Sequence, residues 1–89
     1  MKVTVTQEDI DMGMRASASQ CPIALACRRA GLSVTVVPES ETVGYINVWV
    51  PYFSAYILPK DANAFALAYD EGRPVEPFSF EPEPYGDDV

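Results

Sequence analysis

Histidine is absent from this 89-residue sequence, and cysteine occurs only twice. Histidine is the usual general base near neutral pH, so its absence removes the common Cys-His and Ser-His nucleophile pairs. A structural zinc ion needs four Cys or His ligands at close paired spacings, and two cysteines do not provide them. The sequence therefore predicts no metal, no cofactor and no enzymatic activity. A small enzyme that uses carboxylates or a thiol is the alternative.

Positive charge is scarce. Six Lys and Arg residues stand against thirteen Asp and Glu residues, which gives a formal net charge of -7. Nucleic-acid binding draws affinity from clustered Lys and Arg, and only Arg28 and Arg29 are adjacent. We therefore expect no direct binding of nucleic acid and a partner protein with a basic surface. The alternative is that the negative charge serves only solubility.

Long apolar runs are missing as well. No stretch approaches the roughly 18 apolar residues that span a membrane, and no apolar segment follows Lys2 as it would in a secretion signal. We expect a cytoplasmic protein without membrane contact. Because the cytosol keeps thiols reduced, we also expect free cysteines rather than a disulfide.

The residues that are present predict a single α+β domain over residues 1–84 and a frayed acidic tail at 85–89. The predicted element order is β-α-α-β-β-β-α-β. A largely antiparallel sheet from Ser33 to Leu58 is expected to be packed by the helices. The predicted core consists of Val3, Val5, Ile10, Ile23, Leu25, Cys27, Val34, Val36, Ile46, Val48, Ile57, Phe65, Tyr69 and Phe78.

Local signals fix the ends of the first two helices. Thr6 with Asp9 three residues later resembles a capping box, which predicts a helix that runs toward Met14. Pro22 suits the first position of the second helix, and Gly31 suits the position just past its end.

After the sheet, Pro-rich chain around Phe78-Ser79-Phe80 predicts an edge strand that docks one or both phenylalanines.

The cysteines belong to the second helix. Six helical residues rise about 9 Å, which exceeds the roughly 7 Å that a disulfide spans between Cα atoms. Cys27 follows Ile23 at helical spacing, so core packing is the favoured interpretation. Cys21 lies at the helix N-terminus, which can lower the pKa of a thiol. A reactive Cys21 therefore stays as a minor alternative.

Alternation within the predicted strands indicates an aromatic surface. Aromatic and aliphatic side chains alternate on both sides of Pro51, so the two kinds are expected on opposite faces of the sheet. Tyr and Trp are enriched at binding hot spots. The alternative is that a helix covers this face. The predicted aromatic partner-binding residues are Tyr45, Trp49, Tyr52 and Tyr56.

Acidic clusters are the second part of the predicted binding site. Carboxylates near one edge would face Lys and Arg of a basic partner and steer its approach. The predicted acidic contacts are Glu8, Asp9, Asp11, Asp70 and Glu71.

Four motifs carry a resemblance to a known family. TVTQEDI at 4–10, CPIALA at 21–26, the pattern LP-x-x-A-x-x-F from Leu58, and YDEGRPVEPFSF at 69–80 resemble a family of small uncharacterised bacteriophage and prophage proteins. The resemblance spans most of the chain. It implies an accessory factor in the host cytoplasm that binds a host protein.

The function expected from these features is inhibition of a host defence protein by direct binding. An anti-CRISPR-like blocker of a nucleic-acid-binding surface is one example. The alternative is a self-assembling structural or regulatory phage protein without enzymatic activity. Such a protein would form a homodimer through the same aromatic side chains.

Overall fold

The structure, a computed structural model, describes residues 2–84. The tail predicted at 85–89 lies outside the described residues. The elements in chain order are β1 (Val3–Val5), α1 (Gln7–Met12), α2 (Pro22–Arg29), β2 (Ser33–Val37), β3 (Tyr45–Val50), β4 (Ser54–Ile57), α3 (Lys60–Asp70), β5 (Phe78–Phe80) and β6 (Glu83–Pro84). Helices and antiparallel sheets confirm the α+β prediction. The expected single last strand is two short strands, β5 and β6.

The strands form two antiparallel sheets. One pairs β1 with β5, and the other has the order β2-β3-β4-β6. The larger sheet contains the predicted region from Ser33 to Leu58. The helix α2 packs against β1, β2 and α1, so it joins the two sheets.

The capping signals operate as predicted. The Thr6 hydroxyl accepts from the Asp9 N–H at 3.2 Å, and Asp9 Oδ2 accepts from the Thr6 N–H at 2.9 Å. The helix α1 ends earlier than expected, because the Met14 N–H already donates to the Gln20 carbonyl across the following loop. Met14 is 58% exposed. The predicted extension of the first helix toward Met14 is wrong, because α1 ends at Met12.

The second helix follows its sequence signals at both ends. Pro22 occupies the first turn, and Gly31 just past the end has a φ of +91°, a conformation that favours glycine. Ile23 and Cys27 are fully buried, which confirms the predicted buried stripe. Cys21 is the N-cap residue and is itself buried.

A bulge changes the phase of β3. Ser33 pairs with Val50 and Val34 pairs with Val48, so Trp49 is the extra residue on its strand. Val50 therefore shares the face of Ser33 rather than that of Val48, and it is 53% exposed. The prediction that Val50 joins the aliphatic face is wrong.

The turn after β3 changes the phase a second time. Residues 51–53 lie outside both strands, so the alternation does not continue through them. In the observed register Tyr56 is opposite Ile46, and Ile57 is opposite Tyr45. Tyr56 therefore lies on the helix-facing side of the sheet, and Ile57 lies on the other side. Both predicted positions are wrong for this reason.

The core lies between the helices, the smaller sheet and one face of the larger sheet. Among the predicted core residues, Ile10, Tyr69 and Phe78 are half-buried against it, while Leu25 and Ile57 lie outside it. Hydrophobic core residues that the pattern missed are Cys21, Ala24, Ala26, Leu58, Ala62, Ala66 and Phe80. The small alanines were missed because they carry little hydrophobic signal, although they let helices approach closely.

Asn63 is a fully buried polar residue that clamps the loop between β2 and β3. Its Nδ2 donates to the Ser40 carbonyl at 2.8 Å. Its Oδ1 points at Gly44, where an added Cβ would overlap it. Glycine is therefore required where the chain enters β3.

Candidate interaction surface

The larger sheet has one face that the hydrophobic core does not use. Val34, Val36, Ile46 and Val48 point into the core, and their strand neighbours point the other way. We call this second surface the outer face. Its members are Ser33, Thr35, Val37, Tyr45, Asn47, Trp49, Val50, Ala55 and Ile57, with Phe53 beside Trp49. All are half-buried or exposed, and none belongs to the core cluster of the described residues.

Trp49 is the largest side chain of the outer face and lies at the bulge, near one end of that face. The bulge presents its ring to solvent with 53% of the residue exposed, and the indole Nε1–H donates to Thr35 Oγ1 at 3.1 Å. The ring of Phe53, 60% exposed, packs at a tilt with its centroid 5.1 Å from that of Trp49. Two large aromatic rings are thus held in place while they remain accessible.

Exposed aliphatic side chains lie at both ends of the outer face, Val50 beside Trp49 and Val37 opposite Tyr45. Val37 and Val50 are both exposed. Val37, Tyr45, Asn47 and Ala55 line a shallow depression of about 350 Å³ together with Glu39. Exposed apolar side chains on a sheet face that the core does not use are a feature of interaction surfaces.

The charge beside the outer face has one sign. No Lys or Arg occurs between residues 33 and 58. Glu39 lines the depression, and Glu83 on β6 pairs with Ile57 in the sheet register. These carboxylates complement a partner that carries Lys or Arg at the rim of its contact surface.

The four predicted aromatic residues divide between two sides of the sheet. Tyr45 and Trp49 lie on the outer face. Tyr52 is highly exposed in the turn and lines a small cavity with Val48 and Tyr56, on the helix-facing side. The predicted single aromatic face is therefore wrong in composition. Phe53 and Val50 take the places expected for Tyr52 and Tyr56, because the bulge and the turn both shift the alternation.

Asp9 differs from the other predicted acidic contacts because it is buried. Only 4% of the residue is exposed, and the Arg29 guanidinium donates to both carboxylate oxygens at 2.6 and 3.0 Å. Burial raises the pKa of Asp9, but hydrogen bonds from Arg29 and Thr6 outweigh it and hold that pKa below its ordinary value. The placement of Asp9 on a partner-facing surface is therefore wrong, since this carboxylate joins α1 to α2.

The remaining predicted acids lie on α1 or at the end of α3. Asp70 accepts a hydrogen bond from the Ala16 N–H at 2.9 Å, and Glu71 forms an exposed ion pair with Arg73 at 2.8 Å. Glu8 and Asp11 are exposed on α1. The Tyr69 hydroxyl donates to the Ile10 carbonyl at 2.9 Å and so brings the two helices together. None of these acids belongs to the outer face.

The Cys21 thiol lies at a cavity of about 220 Å³ that Val36 and Asp70 also line. Burial raises the pKa of the Cys21 thiol, although the backbone N–H groups of Ala24 and Ile23 oppose the shift. Burial raises the pKa of Cys27 to about 12. Both cysteines are free, and their raised pKa values favour the thiol over the thiolate at neutral pH. A buried thiol with a raised pKa is a poor nucleophile, so the structure does not favour the alternative of a reactive Cys21.

Two features are absent from residues 2–84. In this range no group of Cys, Asp or Glu side chains is arranged to hold a metal ion. The helices of the same range are too short and too polar to cross a membrane.

Comparison with protein-family models, with curated proteins and with solved structures finds no match for this chain. The resemblance to phage proteins therefore stays a prediction from the sequence.

Proposed function

We propose that this protein acts by binding another protein through its outer face. The observation that supports this proposal best is the exposure of Trp49 and Phe53 on a sheet face that the core of the described residues does not use. Large rigid aromatic side chains bury much area at low entropic cost, which makes them effective anchors. The outer face supplies such an anchor without any catalytic group.

The chemistry of the outer face defines the partner. The centre of the partner's surface is apolar and receives Trp49, and its rim carries Lys or Arg opposite Glu39 and Glu83. This partner matches the expected basic protein. It also agrees with the hypothesis that the protein inhibits a host defence protein by occupying a nucleic-acid-binding surface. That hypothesis rests on the sequence resemblance.

Self-association through the outer face is the competing use of this surface. A two-fold dimer brings the same patch together with itself, so Glu39 and Glu83 of both copies would lie in one contact. Lys and Arg are absent from the sheet between residues 33 and 58 and would not neutralise them there. Like charges across a contact are unfavourable. The charge pattern therefore favours a different protein as the partner.

The experiment compares three tagged proteins as baits in lysate of the host cell: the wild type, Trp49→Ala and Tyr52→Ala. Tyr52 is the matched control, because it is a more exposed aromatic residue that lies off the outer face. We expect one protein that Trp49→Ala loses and Tyr52→Ala retains. Light scattering of the purified wild type should give a monomer. Equal capture by all three baits would contradict the proposal, and a dimer that Trp49→Ala dissociates would replace it with self-association.

A further inference from the structure

A groove separates α3 from the chain at residues 73–83. Its volume is about 740 Å³. Ala64 and Ala68, one helical turn apart on α3, form part of one wall, and their small side chains do not fill the groove. Phe65 and Phe78, whose ring centroids are 4.7 Å apart, contribute apolar surface between the walls. The groove is thus partly apolar, and its lining runs along α3 on one side and along residues 73–83 on the other.

Four carboxylates line this groove, from Asp61, Glu76, Glu81 and Glu83. All four residues are exposed, so a partner can reach them. Among the described residues that line the groove the only base is Arg73, and its Nε donates to Glu71 at 2.8 Å. The groove therefore offers an excess of negative charge around an apolar strip, which complements Lys and Arg.

One edge of β5 adds backbone groups to the groove. Arg29 Nη2 donates to the Thr4 carbonyl at 2.8 Å, so this carbonyl points away from β5. In an antiparallel ladder, two directly opposed residues either exchange backbone hydrogen bonds or both point their N–H and C=O groups away from each other. The residue opposite Thr4 therefore also points its backbone groups away from the ladder. That residue is Ser79, which pairs with Thr4 and lines the groove. Its N–H and C=O face away from β1 and are suited to pair with an added strand.

We infer that this groove binds an extended, basic segment of a partner protein. In extended chain alternate side chains point to opposite sides. A segment in which Lys or Arg alternates with apolar residues places its charges against the carboxylates and its apolar side chains on the strip between Phe65 and Phe78. This site is separate from the outer face, although Glu83 borders both.

The test measures binding of a fluorescent eight-residue peptide of alternating lysine and valine by anisotropy at low salt. The groove variant is Glu76→Gln with Glu81→Gln. The control is Glu8→Gln with Asp11→Asn, which removes the same charge from α1. We expect about tenfold weaker binding for the groove variant, a change below about twofold for the control, and no binding of a glutamate-valine peptide. Trp49→Ala should bind the peptide as the wild type does, which separates this site from the proposed function.

Amide chemical shifts of the wild type locate the peptide independently. The largest changes are expected at residues 64–68 and 78–80. If the groove variant and the control variant bind the peptide equally weakly, the interaction depends only on net charge, and the inference is overturned. Shifts centred on the outer face, or no binding at low salt, would overturn it as well.

Discussion

The indole N–H of Trp49 donates a hydrogen bond to the hydroxyl of Thr35 on the neighbouring strand, at 3.1 Å. The bulge at Trp49 directs the ring outward, and this bond fixes its orientation. A side chain that is ordered before binding loses less entropy when a partner covers it. Thr35 is therefore a positioning residue for Trp49.

Thr35→Val tests this relationship with little change of shape. We expect the free energy of unfolding to fall by no more than about 1 kcal/mol, since one partly exposed hydrogen bond is lost. The indole ring should gain mobility, which fluorescence anisotropy decay measures directly because Trp49 is the only tryptophan in the chain. Unchanged ring mobility in Thr35→Val would show that the bond does not orient the ring.

Asp9→Asn tests the ion pair that joins α1 to α2. The pKa of Asp9 is lowered in the folded state, so its stabilisation is fully present above the ordinary carboxyl pKa of about 3.9 and is lost as pH falls toward the lower folded pKa. We expect the variant to lose about 1 to 3 kcal/mol at pH 7 and less below pH 4. Urea unfolding at a series of pH values measures both quantities. Asp11→Asn, an exposed neighbour, should match the wild type.

The cysteines should be inert in the folded protein. Because burial raises the pKa of both thiols, alkylation by iodoacetamide at pH 7 should proceed at least about tenfold more slowly than in urea. Mass spectrometry of the intact protein counts the added groups over time. Rapid single labelling of native Cys21 would restore the alternative of a thiol-dependent enzyme.

Glu39 should act on the association rate of the outer-face partner. Charge reversal in Glu39→Lys places a positive charge at the depression beside Tyr45. We expect slower association by about threefold or more at low salt and a weaker dependence on salt, with little change in dissociation. Glu8→Lys, on α1, is the control and should leave both rates near those of the wild type. Equal effects of the two variants would indicate steering by net charge alone.

The sequence predicted those features that depend on neighbours along the chain. The capping box at Thr6 and the pair Pro22 and Gly31 are local, since each satisfies backbone groups or a backbone angle at its own position. The antiparallel pairing of β2 with β3 lies within the sheet that the sequence predicted from Ser33 to Leu58. These signals need no knowledge of distant contacts.

The composition of the outer face depended on distant contacts and was only partly predictable. Trp49 and Tyr45 were placed correctly because they precede or form the bulge. Beyond it the sequence pattern changed phase once, at Pro51, whereas the chain changes phase at the bulge and again in the turn. Tyr56 therefore lies on the helix-facing side, and Phe53 lies beside Trp49. The burial of Asp9 depends on Arg29, twenty residues away, and no local pattern marks that pairing.

The central claim, that Trp49 anchors a partner on the outer face, is tested most directly by the dissociation rate of the captured partner from immobilised protein. We expect Trp49→Ala to accelerate dissociation by about thirtyfold, which corresponds to the roughly 2 kcal/mol of a hot spot, and Tyr52→Ala to change it by less than about threefold. Dissociation from Trp49→Ala at the wild-type rate, or a larger effect of Tyr52→Ala, would contradict the claim.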